Sequence, residues 1–174
     1  MADKTDNTVD FYDEITLERL EDLSGYEIAD GYDNVVGWKV IADKEFRVGK
    51  VRGLIASKEL GRILYLDVAV DESLRKAGGV HKHIVVPIGL VKLKEDLEIV
   101  QIDSIDADAF IDYPHYDGSD IDVDYERLIH EYYEKHSKVE LQPYVGREAA
   151  DYSEATKYDN KTMYGSRFLR GAEF

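Results

Sequence analysis

His81 and His83 are two residues apart in a segment with strand-like patterning, which turns both rings to one face and gives the spacing of a two-ligand metal edge. No third ligand lies nearby in sequence, so exposed polar histidines and no metal are the expectation. Asp120, Asp122, Asp124 and Glu131 occupy positions 1, 3, 5 and 12 of a calcium-loop template. Position 6 is Tyr125 where the sharp turn needs glycine, and Arg127 stands where an apolar residue belongs. These aspartates are expected to solvate a linker and complement a helix N-terminus. Cysteine is absent, which removes thiolate ligands, thiolate nucleophiles and disulfides together. Ser57, Ser73, Ser104 and Ser119 lack a nucleophile-elbow context, and no glycine-rich phosphate loop occurs. Asp67 interrupts an apolar strand and reads as a structural hydrogen-bonding residue. Catalytic residues and cofactors are therefore expected to be absent.

The elements that would position such residues are mostly strands. In Arg62–Val70, Leu64, Leu66, Val68 and Val70 alternate with Ile63, Tyr65, Asp67 and Ala69, one dry face against one mixed face. Similar short strands read at 37–42, 47–56, 82–88 and 97–102, with hairpin-sized gaps at 43–45, 58–61 and 94–96, so neighbours should pair antiparallel. Residues 71–79 read as a longer connection. Pro87 and Gly89 cannot both sit in a regular central strand, so the sheet must bend there. A short helix is expected from Thr16 through Leu17, Leu20 and Leu23. A second, amphipathic one follows over 125–137, with Tyr125, Leu128, Ile129, Tyr132 and His136 on its apolar face and Asp122 or Asp124 capping it.

Charge divides the chain unevenly. Its 174 residues carry a net −15, which disfavours a phosphate backbone as partner, so nucleic acid is not expected. Residues 34–102 hold 12 basic and 9 acidic residues, the only positive part, and 27 of the 43 Val, Ile and Leu. Residues 1–33 hold 2 basic and 11 acidic, and residues 103–124 hold 8 acidic and no basic. The N-terminus has neither a basic nor an apolar signal region, and no apolar run approaches the roughly 20 residues a membrane helix needs. A cytoplasmic protein without a membrane span is expected. The division is an acidic N-terminal segment (1–33), a barrel domain (34–112), an acidic linker (113–124), the helix (125–137) and an extended aromatic tail (138–174).

Four runs carry a resemblance. Val36-Gly37-Trp38-Lys39-Val40, Gly49-Lys50-Val51 with Leu54-Ile55, Gly61 through Val68, and Val86-Pro87-Ile88-Gly89 follow one another over about 70 residues. In that order they resemble the PRC-barrel domain, the family of the cytoplasmic barrel of the photosynthetic reaction-centre H subunit and of stand-alone bacterial and archaeal proteins. The fold class expected is mainly β, a small, strongly bent antiparallel barrel with short flanking helices and an extended C-terminal tail. The resemblance implies a non-enzymatic docking or assembly module whose partner is another protein, without the H subunit's membrane anchor. The alternative is a ligand- or cation-binding stress-response protein.

Aromatic residues are the candidates for contact with a partner. Trp38, the sole tryptophan, opens the first barrel strand and is expected to close one barrel end. Tyr132 and Tyr133 are adjacent on the helix and point to different sides, so one small barrel should not cover both. With Tyr144 and Phe168 in the tail, they make a homodimer the expected assembly.

Overall fold

The computed structural model describes residues 16–28, 30, 32–58, 61–78, 82–102, 105–138 and 169–171. Its strands are β1 (Glu18–Arg19), β2 (Tyr26–Ile28), β3 (Lys39–Ile41), β4 (Arg47–Ser57), β5 (Arg62–Val70), β6 (His83–Pro87), β7 (Val91–Lys94), β8 (Ile99–Ile102) and β9 (Leu169–Gly171). Two helices, α1 (Glu72–Gly78) and α2 (Val123–His136), accompany them. One sheet runs β6-β5-β4-β3-β8-β7, with β1 also on β4, while β2 and β9 form a separate pair.

Chain connectivity forces this sheet to curl. Laid flat, six strands would put β6 and β7 about 24 Å apart, at about 4.8 Å per step. Only the 3₁₀ turn Ile88–Leu90 joins them, a link that spans at most about 14 Å. The edges must therefore approach, which is the bend expected at Pro87 and Gly89. Strand β4 supplies further curvature, with register shifts between Val51 and Gly53 and between Ile55 and Ala56. Where β4 crosses β5, a Cβ on Gly49 would lie 2.0 Å from the Ala69 carbonyl oxygen, so no other residue fits there.

Alternation fills the interior as the pattern requires. Leu66, Val68 and Val70 of β5 pack inward with Val40, Val48, Val51, Ile84, Val86 and Val100. The outer face of β5, carrying Tyr65 and Asp67, is buried too, because residues 105–138 fold across it. Phe110, Tyr113, Tyr116, Ile121, Ile129, Tyr132 and Tyr133 all join the core. The stretch expected as a solvated acidic linker thus turns Tyr113, Tyr116 and Ile121 inward and leaves its aspartates outside.

Several local expectations change. In place of a helix from Thr16, Glu18 and Arg19 pair with Ala56 and Ile55, followed by a single 3₁₀ turn, Leu20–Asp22. Strand pairing offers those two residues backbone partners that a two-turn helix largely lacks. The sheet is not wholly antiparallel, since β3 and β8 run parallel with Lys39 opposite Ile99. Residues 72–78 of the long connection are helical, and Val91–Lys94 adds a strand. Helix α2 begins at Val123, two residues before the expected start, and of the two candidate caps Asp122 is used, its side chain accepting from the Tyr125 backbone N–H at 2.7 Å.

Candidate functional site

Asp67 is the polar centre of the outer face. Its side chain is fully buried, and its Oδ2 lies 2.8 Å from Arg19 Nη2 and 3.1 Å from Arg52 Nη1. Arg52 is the extra residue of the first β4 bulge, which aims it at Asp67. Arg19 arrives on β1 and also donates to the Gly118 carbonyl at 3.2 Å. Gly118 has φ +91°, a conformation that favours glycine, and this turn presents the carbonyl to Arg19. Burial works to lower the Arg19 pKa, but the Asp67 carboxylate together with Tyr116 and Glu21 outweighs it and holds the guanidinium above its ordinary value. His83 Nδ1 stands 3.2 Å from Asp67 Oδ1, off the hydrogen-bonding line, and neither atom has another hydrogen-bond partner among the described residues. One carboxylate thus gathers β1, β4, β6 and the 116–118 turn onto β5.

A second polar group clamps α2 to the same strand. The Tyr65 hydroxyl donates to Glu126 Oε1 at 2.5 Å and lies 3.0 Å from His130 Nε2. Glu126 is only 2% exposed. Burial lowers the His130 pKa, with the charge of Glu126 acting in opposition, so the ring is neutral near pH 7 and Nε2–H donates to the Tyr65 oxygen.

The third feature protects a sheet edge. The Val85 N–H donates to the Tyr113 hydroxyl oxygen at 2.8 Å, and the Val85 carbonyl accepts from Tyr113 at 2.8 Å and from Tyr133 at 3.0 Å. Two phenols stand where another strand would pair with β6. Burial raises the pKa of both well above the ordinary tyrosine value, so they stay protonated and can donate.

At one end of the sheet, Asp43, Glu45, Phe46, Arg47, Asp106, Asp108, Asp112 and His136 line an open cleft of about 910 Å³. Lys44 and Glu45, with φ 59° and 58°, form its strained turn. Lys138 Nζ lies 2.8 Å from both Asp43 Oδ2 and Asp106 Oδ1. Its hydrogen bond holds the Asp106 carboxyl below its ordinary pKa. No group of three or more His, Asp or Glu among the described residues is arranged to hold a metal ion.

The opposite end exposes apolar side chains among the carboxylates of Glu95, Asp96 and Glu98. Strands β3 and β8 run parallel with Lys39 opposite Ile99, so the residues leading into them, 36–38 and the turn 96–98, come to the same end of the sheet, where the Lys39 N–H donates to the Glu98 carbonyl at 3.1 Å. Val36 and Leu97 are exposed, Leu97 at 64%, and Trp38 is half-buried against the core. The PRC-barrel domain model matches residues 20–109 of the chain. The protein belongs to the PRC-barrel domain family. None of the curated proteins compared with it matches.

In this PRC barrel the aromatic candidates divide. Trp38 is half-buried and packs against the core. Tyr132 and Tyr133 are both buried, and the Tyr132 hydroxyl donates to the Ala109 carbonyl at 2.6 Å. The premise that one barrel could not cover both therefore fails, and the homodimer loses that support. The reason is a rotation of α2 by about 50° from the expected face, at 100° per residue, which buries Glu126 and exposes Leu128. Tyr144, Phe168 and His81 lie outside the described residues. Asp67, Tyr65, Glu126 and His130 form polar groups that no local motif announces, because their partners are 15 to 65 residues away in sequence. The one visible signal is a lone aspartate in an apolar strand.

Proposed function

We propose that this PRC-barrel protein is a non-enzymatic docking module, acting in the cytoplasm, that holds a protein partner at the barrel end formed by Val36, Trp38 and Leu97. One observation carries the reading: the buried ionisable groups of the outer face are bonded to one another and to the fold, whereas large apolar side chains stand exposed where β3 and β8 begin. Asp67, Glu126, Tyr65 and His130 hold the cover to the barrel. An exposed leucine beside a half-buried tryptophan has the composition of an interface core waiting for its other half.

The alternative, a ligand- or cation-binding protein, draws on the acidic cleft. It has less support, since Lys138 already supplies a cation to Asp43 and Asp106.

Quantitative capture of partners from the native cell, comparing the wild-type chain with Leu97→Asp, tests the reading. Leu97 is exposed, so the variant should fold normally and lose the partners that the wild type retains. Identical partner sets, or turnover of a compound when the chain is incubated with a metabolite extract, would overturn it.

A further inference from the structure

Strands β3, β4, β7 and β8 carry Lys39, Arg47, Lys50, Arg52, Lys92 and Lys94 and not one carboxylate, in a chain with 37 acidic residues. Strand register gathers these cations. Lys94 lies opposite Ile99, Ile99 opposite Lys39, and Lys39 opposite Lys50, one row across four strands. Residues directly opposite in a ladder point to the same side, and Val40, Val51 and Val100, the alternates, face the core. Lys39, Lys50 and Lys92 are exposed on the outer side, and the cover of residues 105–138 lies over β5 instead. Like charges directly opposite in a ladder destabilise it, so the Lys39–Lys50 pair costs stability that a docked anion would return. Among the described residues, Lys39, Lys50 and Lys94 have no ion-pair partner. Arg47 and Arg52 are engaged with Asp71 and Asp67, and Glu95, Asp96 and Glu98 fringe one end of the row.

We infer that this basic face is the docking surface for the chain's own acidic N-terminal segment, residues 1–15. Asp3, Asp6, Asp10, Asp13 and Glu14 give that segment five carboxylates against the single Lys4. It enters the fold at β1, whose Glu18 pairs with Ala56, six residues along β4 from Lys50 and so about 20 Å away. Fifteen residues reach up to about 50 Å, enough to double back onto the row. A free acidic partner would meet the repulsion of a chain at −15, whereas a tethered segment is held at high local concentration. The row adjoins the end assigned above to a partner, and the inference stands apart from that assignment.

Zero-length carbodiimide crosslinking of the full chain at low and high salt, read by mass spectrometry, tests the inference. Crosslinks from Asp3, Asp6, Asp10, Asp13 and Glu14 should concentrate on Lys39, Lys50, Lys92 and Lys94 at low salt and fall several-fold at high salt. In the exposed double variant Lys39→Gln/Lys50→Gln, yields at Lys92 and Lys94 should fall as well, because the field that attracts the segment is weakened. Crosslinks confined to Lys58, the lysine that already pairs with Glu18 at 3.5 Å, or insensitive to salt, would overturn the inference. So would crosslinks joining two chains in an isotope-mixed sample, which would give the face to a second copy. Loss of this docking with partner capture intact would remove the face and leave the docking reading standing.

Discussion

Replacing Asp67 with asparagine should loosen the whole outer cover from the barrel. The carboxylate is fully buried, and its partners differ in exposure, with the Arg19 side chain at 16% and Arg52 at 46%. Removing one member of a buried ion pair costs about 3–5 kcal/mol, because the remaining charge is left desolvated without compensation. Arg52 can turn to water and recover solvation, so the pair with Arg19 dominates and about 2–4 kcal/mol is expected. With about 2–4 °C per kcal/mol for a chain of this size, the melting temperature should fall by about 5–15 °C. Urea unfolding followed through Trp38 fluorescence measures the loss. Hydrogen exchange should quicken at residues 17–20 and 116–119, which Arg19 ties together, before it quickens in β4 or β5. Arg52→Met alone should cost no more than about 1 kcal/mol, as exposed pairs do. A loss below about 1 kcal/mol for Asp67→Asn, or uniform quickening across the sheet, would refute Asp67 as the tie between cover and barrel.

Acid should weaken the α2 clamp. Because His130 in the fold has its pKa below the ordinary value of 6.5, the unfolded chain binds that proton more readily, so stability declines as pH falls below 6.5 and levels off below the folded-state pKa. His130→Gln should flatten that part of a urea-midpoint profile. Tyr113→Phe should cost about 1–3 kcal/mol by leaving the Val85 N–H without its partner, with faster exchange at Val85 as the local signature. Gly49→Ala should prevent stable folding or cost more than about 3 kcal/mol, since its Cβ would meet backbone, which circular dichroism and thermal melting will show.

The sheet was legible in the sequence wherever one face was dry. Strand β5 alternates without interruption and its range is as read, whereas β7 is four residues long and follows Pro87 and Gly89, which read as a break. Helix α1 was hidden by the glycines after it, since a seven-residue helix gives too short a period to detect. Hydropathy ranks Leu128 above Glu126, so the apolar face expected of α2 includes Leu128, whereas the fold buries Glu126. A carboxylate is buried when a specific hydroxyl receives it, and Tyr65 is 61 residues away. Asp67 stands out in the sequence as an aspartate in an apolar strand, but its partners do not, because they come from β1, β4 and β6 and meet only after the sheet curls.

In the proposed function, the end of the barrel formed by residues 36–38 and 96–98 receives a protein partner while the buried polar groups serve the fold. Hydrogen exchange of the full chain with and without a partner captured by the wild type addresses this most directly. Slowed exchange at residues 36–39 and 95–99, with β5 and α2 unchanged, is the predicted result. Protection confined to the cleft at residues 43–47 and 106–112, with none at that barrel end, would contradict it.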